Sequence, residues 1–217
     1  MDRDLTPEAA AALARNERYV REFVELFDLC PYAKRCREGG RLQRTVLLEQ
    51  GGPAESPGFD LAVTAIADAV ARFEALPPDS IDVGFIILPA LVPALARGLE
   101  GARAFEWLVG AARERLQARH VNAGAPFYCV AFHPDFAEDL ATEHRAVRFI
   151  RRSPDPTVQV VRATVLNAVR GNDPAREPLP VSDRIARANL TKLKAHGAGR
   201  LRELLAEIRA HARSQAR

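Results

Sequence analysis

Residues 126–162 read PFYCVAFHPDFAEDLATEHRAVRFIRRSPDPTVQVVR, and the parsing of this stretch decides the fold. It opens as a β-branched and aromatic run over 127–132, the composition of a buried strand, and stops at Phe132-His133-Pro134-Asp135. Polar chemistry therefore gathers just past a strand end. In parallel sheets the carboxyl ends of strands open into the crevice where ligands bind, so an imidazole and a carboxylate there are more suggestive than on a helix face. The second half of the stretch has two parsings. Val158, Val161, Val165 and Val169 share one helical face after Asp155-Pro156, while Thr157 to Val161 is also a credible strand by β-branching. We read it as a helix.

Outward from this stretch, 81–88 is a nearly continuous apolar strand, and 42–49 reads as a strand followed by the turn-rich loop GGPAESPG at 51–58. Between them Val63, Ile66, Val70 and Phe73 form a helical stripe that Pro77-Pro78 ends. A further helix over 103–119 carries Phe105, Leu108, Ala112 and Leu116. The order β-α-β-α-β with right-handed crossovers predicts an α/β fold. Its core is small, three-stranded and mainly parallel, with 42–49, 81–88 and 127–132 side by side and flanking helices. The charged segment 137–150 carries no decisive pattern.

At the N-terminal end, Thr6-Pro7-Glu8 has the form of a helix start, and Val20, Phe23, Val24 and Phe27 continue as one apolar stripe. Leu29-Cys30-Pro31 ends it, because the residue before proline is pushed out of the α region. Pro31 can restart a short helix ended by Gly39-Gly40, which would put Cys30 at its N-cap. After a linker marked by Gly171-Asn172-Asp173-Pro174, Pro178 and Pro180, Ser182 caps a helix to about His196. Gly197-Ala198-Gly199 then turns into a last helix with Leu201, Leu204, Leu205 and Ile208. We expect one domain over 1–217, with its core at roughly 20–170 and a C-terminal helical hairpin at 182–213.

With 47% hydrophobic and 27% charged residues, the chain has an ordinary globular composition. No run approaches the roughly 18 apolar residues of a spanning helix, and MDRDLTPEAA lacks an apolar leader core, so we expect a cytoplasmic protein without a membrane. Cys30, Cys36 and Cys129 are odd in number and form no C-x-x-C pair, which argues against a disulfide framework or a four-cysteine zinc site. The net charge of +3 permits an anionic partner. Much of it lies at the C-terminal end. From Ser182 onward nine Lys or Arg residues face three acids.

Cys30 is the sharpest single candidate for chemistry. A thiol at a helix N-terminus, with Lys34 one turn later, should have a lowered pKa and can act as a nucleophile, or it can simply fill the core as free cysteines often do. Cys36 and Cys129 read as structural. His133 beside Asp135 can act as acid, base or metal ligand, or can be a sheet-edge histidine next to a turn-capping aspartate. Arg151, Arg152 and Ser153 precede a proline-punctuated element start where guanidinium forks and N–H groups can bind a carboxylate or phosphate. Asn189 falls on the apolar stripe of its helix, where its amide must find a partner or face a pocket. No GxxxxGK[ST], GxGxxG or GxSxG motif is present, which disfavours nucleotide-cofactor and serine-hydrolase readings.

Leu-Cys-Pro-Tyr-Ala-Lys at 29–34, Phe-His-Pro-Asp-Phe at 132–136, Arg-Ser-Pro-Asp-Pro-Thr at 152–157 and the N-x-x-x-L of Asn189 and Leu193 together resemble the bacterial family named domain of unknown function 1415. The resemblance covers most of the chain. It implies importance for Cys30, Pro31, Lys34, His133, Pro134, Asp135, Arg152, Ser153, Pro154 and Asn189, and it implies no activity.

The leading expectation is a small enzyme, a cysteine-dependent transferase, hydrolase or redox enzyme. Cys30 would be its nucleophile, His133 with Asp135 its acid/base, and Lys34, Arg151, Arg152, Ser153 and Asn189 would hold a small anionic molecule. One alternative is a haem- or metal-binding protein using Cys30 or His133; no cofactor is named by the sequence and no metal site is assigned. The other is a nucleic-acid or protein-binding module using the basic hairpin. The charges of the hairpin are spread along two helices and no aromatic residue follows Phe149 to stack on bases. Fluorescence anisotropy with labelled oligonucleotides at roughly 50 and 200 mM salt should accordingly show no salt-sensitive submicromolar binding, and such binding would move the nucleic-acid reading to first place.

Overall fold

The structure, a computed structural model, describes residues 5–49, 51–121, 124–170 and 181–210. Helix α1 (Pro7–Arg18) starts as expected, with the Thr6 hydroxyl accepting from the Ala9 N–H at 3.2 Å. It runs directly into a π-helical segment, Tyr19–Glu25, which widens the backbone turn just before the chain reaches Asp28 and Cys30. Helix α2 (Ala33–Glu38) follows, and then strand β1 (Leu42–Val46). Helix α3 (Pro57–Glu74) leads to β2 (Val83–Ile87), and α4 (Pro93–Ala96) and α5 (Gly98–Arg119) lead to β3 (Phe127–Phe132). The undecided segment contains α6 (Glu143–Ile150), capped by Thr142. Strand β4 (Thr157–Arg162), α7 (Ala163–Arg170), α8 (Val181–His196) and α9 (Ala198–Ala210) complete the chain. The expected linker at 171–180 lies outside what the structure describes, and α8 already includes Val181, one residue before the expected Ser182 cap.

The helical reading of 157–162 is corrected, and the three-stranded core with it. The sheet has four strands in the order β1-β2-β4-β3. Strand β4 is antiparallel to both neighbours, pairing Thr157 with Ile87 on one side and with Phe132 on the other. Since β3 opposes β4 and β4 opposes β2, the strands β1, β2 and β3 do share one direction, but β3 is not adjacent to β2. The helical stripe fails for a physical reason: Pro154 and Pro156 block a helix upstream, and Val158 and Val160, both fully buried, pack better at period 2 inside a sheet. Helix begins only at Ala163.

Helices cover both faces. On one face α3 and α5 bury Ile66, Val70, Phe73, Phe105 and Leu108 against Ile86, Cys129, Val158 and Val160. Helix α3 comes so close to Gly84 that a Cβ there would lie 2.7 Å from the Phe73 ring and 2.8 Å from Val160, so glycine is required for contact rather than for a turn. On the other face Tyr19, Phe23, Phe149, Leu193, Leu201 and Ile208 pack on Phe85, Ile87 and Phe132. The C-terminal hairpin turns at Gly197, φ +80°, and its apolar stripe belongs to this second core.

One buried ion pair ties the layers together. The Arg15 fork in α1 donates to both carboxylate oxygens of Asp155, at 2.8 and 2.9 Å, on the loop entering β4. Asp155→Ala would leave Arg15 charged and buried, and should cost about 3 kcal/mol in urea unfolding. The double replacement Arg15→Met with Asp155→Leu should lose much less, because the isolated charge is gone. Equal losses in the single and double variants would show that the pair is not what holds this loop.

Candidate functional site

The expected site residues separate into two groups, and strand alternation separates them. Phe127, Cys129 and Ala131 point to the α3/α5 face, Val130 and Phe132 to the other. His133 continues the first set and packs its ring against Phe105 and Phe136. It is fully buried. Its Nε2 donates to the Leu95 carbonyl at 3.0 Å and its Nδ1 accepts from the Asp135 N–H at 3.1 Å. Burial pushes the imidazole pKa down to about 4, against the Leu95 carbonyl and Asp135, which favour the charged form. A neutral ring with both nitrogens engaged has no lone pair for a substrate, haem iron or metal.

The neighbouring candidates do similar work. Asp135 accepts from the Gly98 N–H at 2.7 Å, so it caps α5, and from Arg209 at 3.1 Å. Burial alone would raise its carboxyl pKa, but the Gly98 N–H and Arg209 outweigh burial and hold it below the usual range. Arg152 donates to the Phe136 carbonyl at 2.6 Å and pairs with Glu138 at 2.9 Å. The buried Ser153 hydroxyl donates to the Asp155 carbonyl at 2.5 Å, and the His133 N–H donates to the Arg151 carbonyl at 3.0 Å. These four residues fasten the end of β3 to the entrance of β4. Lys34 is exposed on α2.

Cys30, Arg151 and Asn189 come together on the opposite face. They line a cavity of about 240 Å³ between the sheet, the π-helical segment, α6 and α8. Its walls are mostly apolar, including Val20, Val24, Phe85, Phe132, Ile150 and Ile185, and Tyr19 and Gln159 add polar atoms. Asn189 donates to the Leu29 carbonyl at 2.8 Å, which fastens α8 to the chain just before Cys30. The Tyr19 hydroxyl donates to the Ile150 carbonyl. His133 and Lys34 do not line this cavity.

The expected capping role of Cys30 is corrected. Helix α2 starts at Ala33 with Tyr32 at its N-cap, and residues 31 and 32 form a turn in which the Cys30 carbonyl accepts from the Ala33 N–H at 3.2 Å. The expected fall in pKa is corrected as well. Burial raises the Cys30 thiol, the backbone N–H groups of Tyr32 and Ala33 pull it back in part, and Asp28 pushes it up again. Cys36 and Cys129 are buried, with burial pushing them up to about 11 and about 12.

Arg151 is the unusual group in the cavity. Burial lowers its guanidinium pKa, with Glu106 and Tyr19 opposing. Glu106 itself pairs with Arg148 at 3.1 Å. Among the described residues the Arg151 side chain has no ion-pair or hydrogen-bond partner, whereas Arg15, Arg152 and Arg209 each have a carboxylate. Tyr19 and Gln159 were missed from the sequence. Gln159 was legible only as a polar residue interrupting a β-branched run, and the helical parsing hid the face it takes.

A larger crevice of about 710 Å³ lies at the carboxyl ends of β2 and β3, lined by Arg15, Arg97, Pro134, Pro154, Asp155 and Arg209 among others. Its Arg15 is committed to Asp155 and its Arg209 to Asp135. Arg97 also lines this crevice, without an ion pair among the described residues, whereas the smaller cavity combines Arg151 with the Cys30 thiol. Among the described residues no cluster of three or more His, Cys, Asp or Glu is placed to hold a metal ion, and no helix is long and apolar enough to cross a membrane. The basic hairpin spends several of its cations internally, Lys192 on Asp28 at 2.7 Å and Arg202 on Glu138 at 3.1 Å.

Fold and site define a mixed α/β protein with a helix-covered four-stranded sheet and a partly enclosed cavity lined by Cys30. Residues 11–203 match the family model described as protein of unknown function (DUF1415), and the chain belongs to that family. No curated protein and no solved structure matches the chain.

The His133 geometry sets a pH dependence. Its folded pKa, about 4, lies below the ordinary 6.5, so the unfolded chain holds more protons between these values and stability falls as pH drops through this window. The slope from this residue should approach about 1.4 kcal/mol per pH unit in denaturant titrations, and His133→Gln should remove it. An unchanged slope in the variant would show that His133 is not the titrating group.

Proposed function

We propose that this protein acts on a small anionic molecule held in the cavity on the β4 and α8 side of the sheet. Arg151 receives the anionic group, Asn189 and Gln159 border it, and Cys30 presents the reacting thiol. The observation that carries this reading is the Arg151 guanidinium, partly withdrawn from water in a mostly apolar cavity beside a thiol, with no carboxylate paired to it. Partial desolvation without a counter-ion disfavours the charged guanidinium, and an anionic ligand offsets that cost. The π-helical segment supports it, since such segments occur at functional sites and this one supplies Tyr19, Val20 and Val24 to the wall.

The chemistry differs from a Cys/His dyad, because His133 leaves the sheet on the other face. The resting thiol is protonated, and the N–H groups of Tyr32 and Ala33 favour the thiolate once it forms. Iodoacetate and iodoacetamide test the arrangement without knowledge of the substrate. Both require the thiolate, so the ratio of their rates cancels the pKa and reports whether an anion is drawn to the sulfur. At Cys30 in the native protein this ratio should exceed that of the unfolded chain by about tenfold, read by mass spectrometry. Arg151→Met should abolish the preference and Arg151→Lys should keep part of it. A native ratio equal to the unfolded one, or Cys30 reacting no faster than Cys36, defeats the reading.

A further inference from the structure

The cavity also restricts what kind of anion enters, an inference that rests on the reading of Cys30 and Arg151 as a ligand site. We infer that its ligand is a monocarboxylic acid with a compact apolar body, carboxylate on Arg151 and body against the sheet. Charge comes first. Among the cavity-lining residues Arg151 is the sole cation, since Lys34 is exposed on α2 and Arg152 is bound to Glu138 and the Phe136 carbonyl. One guanidinium neutralises one negative charge. A phosphate dianion would carry a second charge into the same apolar surroundings without compensation, at a cost of the kind that a buried lone ion incurs. The planar guanidinium fork also matches a carboxylate through two parallel N–H donors.

Size and walls come second. At about 30 Å³ per water-sized group, a cavity of about 240 Å³ has room for roughly eight non-hydrogen atoms, the size of hexanoate. Val24, Phe85, Phe132, Ile150 and Ile185 offer the body no hydrogen bond, so hydroxylated or multiply charged molecules would lose hydration without replacement. Tyr19 and Asn189 already donate to the Ile150 and Leu29 carbonyls, so apart from Gln159 recognition beyond the head group is by burial. The Cys30 sulfur shares this enclosure, so the ligand is placed where the thiol can meet it.

Calorimetric titration of the full chain with acetate, butyrate, hexanoate and octanoate, at matched ionic strength, reads out the inference. Affinity should rise about fourfold per methylene up to hexanoate, as buried methylene groups do, and level off beyond it as the cavity fills. Hexanamide and the dianion of hexyl phosphate should each bind at least about tenfold more weakly than hexanoate. Arg151→Met should erase the advantage of hexanoate over hexanamide. If that variant fails to fold, Ala186→Phe, which fills the cavity from α8, should still weaken hexanoate about tenfold. Affinity independent of chain length, hexanamide equal to hexanoate, tighter binding of hexyl phosphate, or no binding at all would each overturn it. Anion-selective alkylation of Cys30 combined with a flat chain-length series would defeat this inference alone. Graded carboxylate binding without selective alkylation would instead defeat the thiol reading and leave the ligand class standing.

Discussion

Strand β4 enters the sheet at the end where β2 and β3 leave it, and everything near the cavity depends on fixing that junction. An antiparallel strand inserted between two others has no freedom of register, because both edges must pair at once: Thr157 meets Ile87 and Phe132 together. The Arg15–Asp155 pair reaches the same junction from α1. Such a pair contributes little net stability compared with apolar packing, yet losing one partner is costly, so it selects this arrangement over alternatives more than it strengthens it. The hydrogen bonds of His133, Arg152 and Ser153 engage further polar groups there, leaving the buried Arg152 Nε without a partner.

That junction explains why residues close in sequence work on different faces. Arg151 and Arg152 are neighbours, but Arg152 turns to Glu138 and the Phe136 carbonyl while Arg151 turns to the cavity. Phe132 and His133 divide in the same way across the sheet. Two stretches dense in chemically capable side chains therefore yield one structural fastening and one cavity wall, and abundance of such residues in a stretch is a poor guide to which of them meet a ligand.

Much of the fold was legible because its signals are local. The strand at 127–132 agrees residue for residue with β3, the strands at 42–49 and 81–88 hold with trimmed ends, and the Thr6 cap and the helical hairpin follow from short-range patterns. Strand β4 was not legible, since Val158, Val161 and Val165 fit a helical stripe as well as Val158 and Val160 fit a strand. What decides between them is that both edges of 157–162 find partners, and part of that information lies seventy residues from Thr157 at Ile87. The site was legible in part for the same reason. Cys30, Arg151 and Asn189 were singled out separately, each for a local property, while their meeting depends on α8 crossing to the Leu29 carbonyl 160 positions earlier.

Cys30 shows how a sound local principle can be outweighed. A helix N-terminus lowers a thiol pKa through N–H groups and their dipoles, and Tyr32 and Ala33 do exert that pull. Helix α2 is short, however, and it starts two residues later than Pro31 suggested, so the thiol sits before a turn rather than on a cap. Burial against the second core acts on the whole charge of a thiolate, whereas two N–H groups act as partial charges, and burial prevails. The same desolvation acts on Arg151, where it lowers the affinity for a proton and leaves a cation with its hydrogen-bonding directions unspent. Desolvation in this cavity therefore acts against charge on both its thiol and its guanidinium, although the two groups would carry opposite charges.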